Sequence, residues 1–202
     1  MTPTDLRTDL LRLLRAPRPA AQDEHQRDDV VLMLSRSRAG AFVGCWAQER
    51  QGGAEGARAG RRAVLEAIGE SGDSAELDCL VECLTRLAGC LLVQTLGDWG
   101  KVRGLCREFS ARMRAAVYLG YWAMDAEEGA TRHVESMIGR LEVLDAIAAS
   151  GDQAELTTLL EDLAGLAGQL LEAQAGGDLG KVRYLAGELG GPTWREFWAD
   201  QR

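Results

Sequence analysis

The sequence predicts an all-α fold: a tandem-duplicated antiparallel helical bundle with an internal pseudo-two-fold repeat and a long central helix shared by the two copies. Three observations carry this expectation. Residues 64–92 align with residues 143–171 at 18 identities in 29 positions, and after one inserted residue 97–105 align with 177–185 at seven of nine. Within the repeated stretch Leu77, Leu80, Leu84, Leu87, Ala88 and Leu91 recur at about 100° per residue, the period of one helix face. No stretch alternates with period two or is dense in β-branched residues, so no strand signal competes. A supersecondary unit repeated in tandem usually buries its apolar face against its own copy, and short connections favour antiparallel neighbours.

In residues 1–22, Thr4 can cap a short amphipathic helix bearing Leu6, Leu10, Leu13 and Leu14, and Pro17 and Pro19 end it in a linker. Residues 23–202 are expected to form a single helical domain of two repeats, about 23–98 and 99–178, with a closing segment 179–202. A helix over 28–51 ends at Gly52-Gly53, and a second over 57–70 stops at Ser71-Gly72. Asp73 then caps the Leu-rich helix, with Glu76 three residues on in a variant of the capping box that recurs as Asp152 and Glu155. Gly97-Asp98 separates that helix from the long one over 99–127, and helices over 131–149, 152–175 and 179–189 complete the second copy. Gly190-Gly191-Pro192 breaks the chain before a last turn carrying Trp194, Phe197 and Trp198. The repeat extends upstream, because Phe42-Val43-Gly44-Cys45-Trp46 answers Tyr118-Leu119-Gly120-Tyr121-Trp122.

Composition narrows the function classes. Hydrophobic residues make up 46% and charged residues 27%, a globular balance, and a formal net charge of −8 disfavours nucleic acid, whose binding needs a basic surface. No apolar run reads as long enough to span a bilayer, and the N-terminus lacks a signal-peptide core, so no membrane contact and a cytoplasmic location are expected. Five cysteines, an odd number without regular spacing, agree with a reducing compartment.

Four constellations are candidate sites. Lys101 and Lys181 are the only lysines and occupy equivalent positions in the GD[WL]GKVR motif. With Arg103, Arg107 and Arg114 on one stripe of the long helix, and Arg183 in the second copy, they could hold an anion or an acidic partner at a helix start; the competing reading is a helix-start turn capped by Asp98 or Asp178. Cys79, Cys83 and Cys90 line one face of the Leu-rich helix and are candidate metal or redox ligands, against which stands the tendency of cysteine to be a small buried residue. Phe42, Gly44, Trp46, Tyr118, Gly120, Tyr121 and Trp122 mark either a ligand pocket or close helix approach, because glycine in mid-helix costs about 1 kcal/mol relative to alanine. Trp194, Phe197 and Trp198 are candidate partner anchors.

Catalytic machinery is not recognisable. His25 and His133 are the only histidines, and neither HExxH nor GxSxG occurs. No catalytic residue and no cofactor are assigned. The expected function is that of a non-enzymatic adaptor or regulatory protein that binds a protein partner, a second copy of the chain included. The alternative is a small-molecule or metal/redox-sensing helical module built on the Gly-aromatic pocket or the cysteine stripe.

Overall fold

A computed structural model describes residues 24–71, 74–128 and 131–189. They form eight helices and, among the described residues, no strand: α1 (Glu24–Arg50), α2 (Ala54–Ser71), α3 (Ser74–Leu96), α4 (Trp99–Phe109), α5 (Arg114–Glu128), α6 (His133–Ser150), α7 (Gln153–Gln174) and α8 (Leu179–Glu188). The N-terminal segment and the cluster of Trp194, Phe197 and Trp198 lie outside the described residues.

The chain divides into two compact units. One holds the described residues up to Cys83 and from Leu171 onward; the other is Leu84–Leu170. The boundary falls inside the Leu-rich helices α3 and α7. In the first unit α1 packs on α2 and α8, and in the second α5 packs on α4 and α6. The second unit has a core of Leu92, Val102, Cys106, Leu119 and Ala123, against which Leu96, Trp99 and Trp122 pack. Each large aliphatic side chain removed from water in this way contributes about 1.5–3 kcal/mol.

Turn chemistry sets the helix ends. Gly52, Gly97, Gly151 and Gly177 take positive φ where a helix must stop, a region glycine enters without a Cβ penalty. Asp98 then caps α4, its Oδ1 accepting from the Lys101 N–H at 2.8 Å, and Asp178 caps α8 by accepting from Gly180 and Lys181. Asp152 caps α7 through the Ala154 N–H. The reciprocal half of the expected capping box is absent there: the Asp152 N–H donates to Ser150 Oγ, and the Glu155 carboxylate pairs with Arg114 instead.

Two expectations are corrected. The single central helix over 99–127 is two helices, α4 and α5, separated by a turn at Ser110–Met113 in which the Arg112 and Met113 N–H groups donate to the Phe109 carbonyl. Burial requires the reversal. Val102 and Cys106 on α4 share one core cluster with Leu119 and Ala123 on α5, which a continuous helix would hold apart along its axis. The break stands at the position that Gly190 occupies in the second copy, so the repeat itself carried the signal.

The second correction concerns apolar length. Ala75–Leu96, 22 residues, is long and apolar enough by length and composition to cross a membrane. Most of it is buried inside the fold, where Leu80, Leu84, Leu87 and Leu91 are fully enclosed. A helix contacted on several sides loses the polar face that normally interrupts such a run.

Candidate functional site

Of the side chains nominated by the GD[WL]GKVR motif, Lys101, Arg103 and Arg183 are engaged internally, and Lys181 is exposed with its backbone N–H held by the Asp178 cap. Lys101 Nζ donates to the Leu96 carbonyl at 3.0 Å and lies 3.4 Å from Asp98, so the ammonium closes the C-terminal end of α3 while its own backbone N–H is held by the α4 cap. That bond draws the Asp98 carboxyl below its ordinary range. Arg103 on α4 is clamped by Glu127 and Glu128 at the end of α5, at 2.7 Å for Glu128, and these carboxylates raise its pKa further. Arg183 reaches Gln51 at 3.2 Å, and Arg107 is exposed. Arg114 lies beyond the turn on α5, so the stripe Arg103–Arg107–Arg114 does not exist as one helix face.

The Gly-aromatic residues are packing contacts. A Cβ added at Gly44 would meet Ala186 Cβ at 3.9 Å, and one at Gly120 would meet Cys106 Cβ at 3.3 Å, so α8 and α4 lie directly against these glycines. Phe42 and Tyr118 are buried. Trp122 stacks edge-on against Trp99 with centroids 5.2 Å apart and covers Gly89, while the Arg50 guanidinium lies 5.9 Å from the Trp46 ring centre. Close helix approach accounts for Gly120, where an added Cβ would crowd Cys106, whereas at Gly44 it would meet only ordinary contact.

None of the five cysteines forms a disulfide. Burial pushes the thiols of Cys45, Cys90 and Cys106 up to about 11, which leaves them protonated at neutral pH. Cys79 and Cys90 are eleven residues apart on one helix, about 16 Å along its axis at 1.5 Å per residue, too far to share one ion. Among the described residues no group of three or more His, Cys, Asp or Glu side chains is placed to hold a metal.

What none of these candidates includes is the outer face of α6. This helix turns Ser136, Gly139, Val143 and Ile147 inward. Gly139 lies against the Tyr121 ring, Ser136 Oγ donates to the Tyr121 carbonyl at 2.7 Å, and Asp125 receives His133 at 2.9 Å and Arg140 at 3.5 Å. These contacts fix the rotation of α6 on α5. On the opposite side Val134, Met137, Ile138 and Leu141, at i, i+3, i+4 and i+7, are between 42% and 61% exposed. At the 79-residue spacing of the repeat the same places on α2 are Glu55, Arg58, Ala59 and Arg62, all exposed. The scaffold therefore accepts charged or small residues there.

The sequence contained this signal. Comparing the two copies position by position outside the best-aligned block exposes the stripe, whereas helix periodicity alone assigns four apolar residues at that spacing to a core. No known protein-family model, no curated protein and no solved structure matches this chain.

Proposed function

We propose that this protein is a non-enzymatic helical adaptor or regulator that works by binding another protein, in a cytoplasmic setting, and that the outer face of α6 is its docking surface. One observation carries the reading: a continuous exposed apolar stripe where the equivalent helix of the other copy is charged. An exposed patch of this kind costs solubility and marks an interaction site when the fold does not need it. Five cysteines without a disulfide among them suit the reducing compartment the reading includes.

The same reading takes the chain as a duplicated bundle with pseudo-two-fold internal repetition. Supporting it, equivalent positions make equivalent contacts: Gly44 on Ala186 and Gly120 on Cys106, Gly60 on Cys45 and Gly139 on Tyr121. The ion pairs Arg38–Glu76 and Arg114–Glu155 correspond, as do Arg61–Glu49 and Arg140–Asp125. In each unit the helix that opens on GKVR, α8 or α4, packs on the Gly-aromatic helix, α1 or α5.

A photo-crosslinking residue at position 137, compared in cells with the same residue at the equivalent position 58, tests the function. A discrete adduct at 137 that is missing at 58 is the expected result. Equal labelling at the two positions would remove the docking face.

A further inference from the structure

Resting on that docking face, we infer that its partner is a basic amphipathic helix that lays leucine-type side chains along α6. The spacing selects a helix. Val134, Met137 and Leu141 continue into the half-buried Leu144 and the exposed Ala148, which are a and d positions of two heptads on one straight seam. Such a seam is matched by a second helix presenting apolar groups at i, i+3 or i+4, and i+7.

The charges around the seam select the sign. Its basic neighbours are committed within the unit: Arg132 to Glu128 at 2.9 Å, Arg140 to Asp125, and His133 to the same Asp125. Glu142, on one edge of the stripe, and Asp145, one turn beyond Leu141 within it, are exposed and carry no ion pair among the described residues, and Glu135 has only a 3.6 Å approach from Arg132. A partner flanked by Lys or Arg finds two unpaired carboxylates beside the apolar seam. A partner flanked by Glu or Asp, or a second α6 with the same carboxylates, meets like charge, which penalises the wrong partner more than it strengthens the right one.

The test uses the full chain and two fluorescent helical peptides with identical leucine heptads, one flanked by lysine and arginine, the other by glutamate. Anisotropy titration is expected to give binding of the basic peptide at least about tenfold tighter than the acidic one, a ratio that falls with salt. Glu142→Lys with Asp145→Lys is expected to invert the preference, and Leu141→Asp to abolish binding while leaving the circular dichroism melt unchanged. If both peptides bind equally and both are lost in Leu141→Asp, the docking face stands and the basic partner is overturned. If neither binds, the face is overturned with it. Two further results would also overturn the external helix: a concentration-dependent dimer by sedimentation that Leu141→Asp dissolves would assign the face to a second copy, and tighter peptide binding after Leu10→Asp with Leu13→Asp would assign it to the chain's own N-terminal segment.

Discussion

Removing Arg38 should cost far more than removing Arg114, although the two arginines occupy equivalent positions and pair with equivalent glutamates. Arg38 meets Glu76 at 2.6 Å with the side chains 5% and 1% exposed; Arg114 meets Glu155 at 2.9 Å with 42% and 34% exposed. At an effective dielectric of about 20 the first pair attracts by about 6 kcal/mol, and in a near-aqueous dielectric the second by about 1.4 kcal/mol. Part of the first figure is cancelled by desolvation, but Arg38→Ala removes only the attraction and leaves the carboxylate buried without its arginine, which costs about 3–5 kcal/mol. Arg114→Ala costs about 0–1 kcal/mol. In a chain of this size the first corresponds to a fall in Tm of roughly 10 °C and the second to at most a few degrees. Arg38 Nε has no hydrogen-bond partner among the described residues, so the buried pair is incompletely satisfied there. Replacing both members by apolar residues, Arg38→Met with Glu76→Leu, should therefore recover most of the loss. Urea and thermal unfolding of the four proteins measure this. Equal losses for the two arginine variants would refute the claim that burial separates the pairs.

Gly40→Ala should destabilise by about 1–3 kcal/mol, because its Cβ would collide with the rigid Ala186 carbonyl oxygen on α8, whereas Gly104→Ala, with nothing within 4 Å, should stabilise by up to about 1 kcal/mol; urea midpoints decide both. In alkylation of the native protein at mildly alkaline pH, Cys79, which is partly exposed, should react before Cys45, Cys90 and Cys106, whose thiols are held near 11; peptide mapping reads the order. The Asp98 carboxyl is lowered in the folded state from 3.8, so its contribution is present above that value and is lost as pH falls through the folded pKa. The stability gap between the wild type and Asp98→Ala should accordingly close on acidification, as measured by unfolding across the acid range.

Helix identity was legible because the evidence for it is local. The Gly-Asp turns, the leucine spacing and the aspartate caps each act within a few residues, and α2, α6, α7 and α8 stand close to where the pattern put them. The break between α4 and α5 has no local signal, because Ser110-Ala111-Arg112 contains no glycine or proline; only its alignment with Gly190 in the other copy marks it, and the packing of Cys106 on Gly120 requires it. The same limit applies to the basic stripe: Arg103 and Arg114 share a helical phase in the sequence but end on different helices. The role of Lys101 was half legible, since the motif announced a helix start and gave no sign that the ammonium reaches back to the Leu96 carbonyl. Whether an ion pair is buried depends on neighbours far along the chain, so Arg38 and Arg114 look alike until the fold separates them.

Differences between equivalent positions fall into two kinds, and the distinction explains why the outer face of α6 matters. Inside, each difference is answered by a neighbour. Tyr121 stands where the other copy has Cys45, and its larger ring lies over Gly139, as the Cys45 sulfur lies over Gly60. Ser136 replaces Ala57 and donates its hydroxyl hydrogen to the Tyr121 carbonyl, so the added polar atom is satisfied where it is buried. Cys106 replaces Ala186 and keeps the same contact, its Cβ lying against Gly120 as the Ala186 Cβ lies against Gly44, while the added sulfur is buried. On the outer face of α6 the exchange of Glu55, Arg58 and Arg62 for Val134, Met137 and Leu141 removes charge from solvent and leaves the new apolar atoms exposed. Internal substitutions of that sort are balanced within the unit; this one is not balanced among the described residues, where Glu142 and Asp145 beside it also carry no ion pair, and the proposed basic helix would answer both.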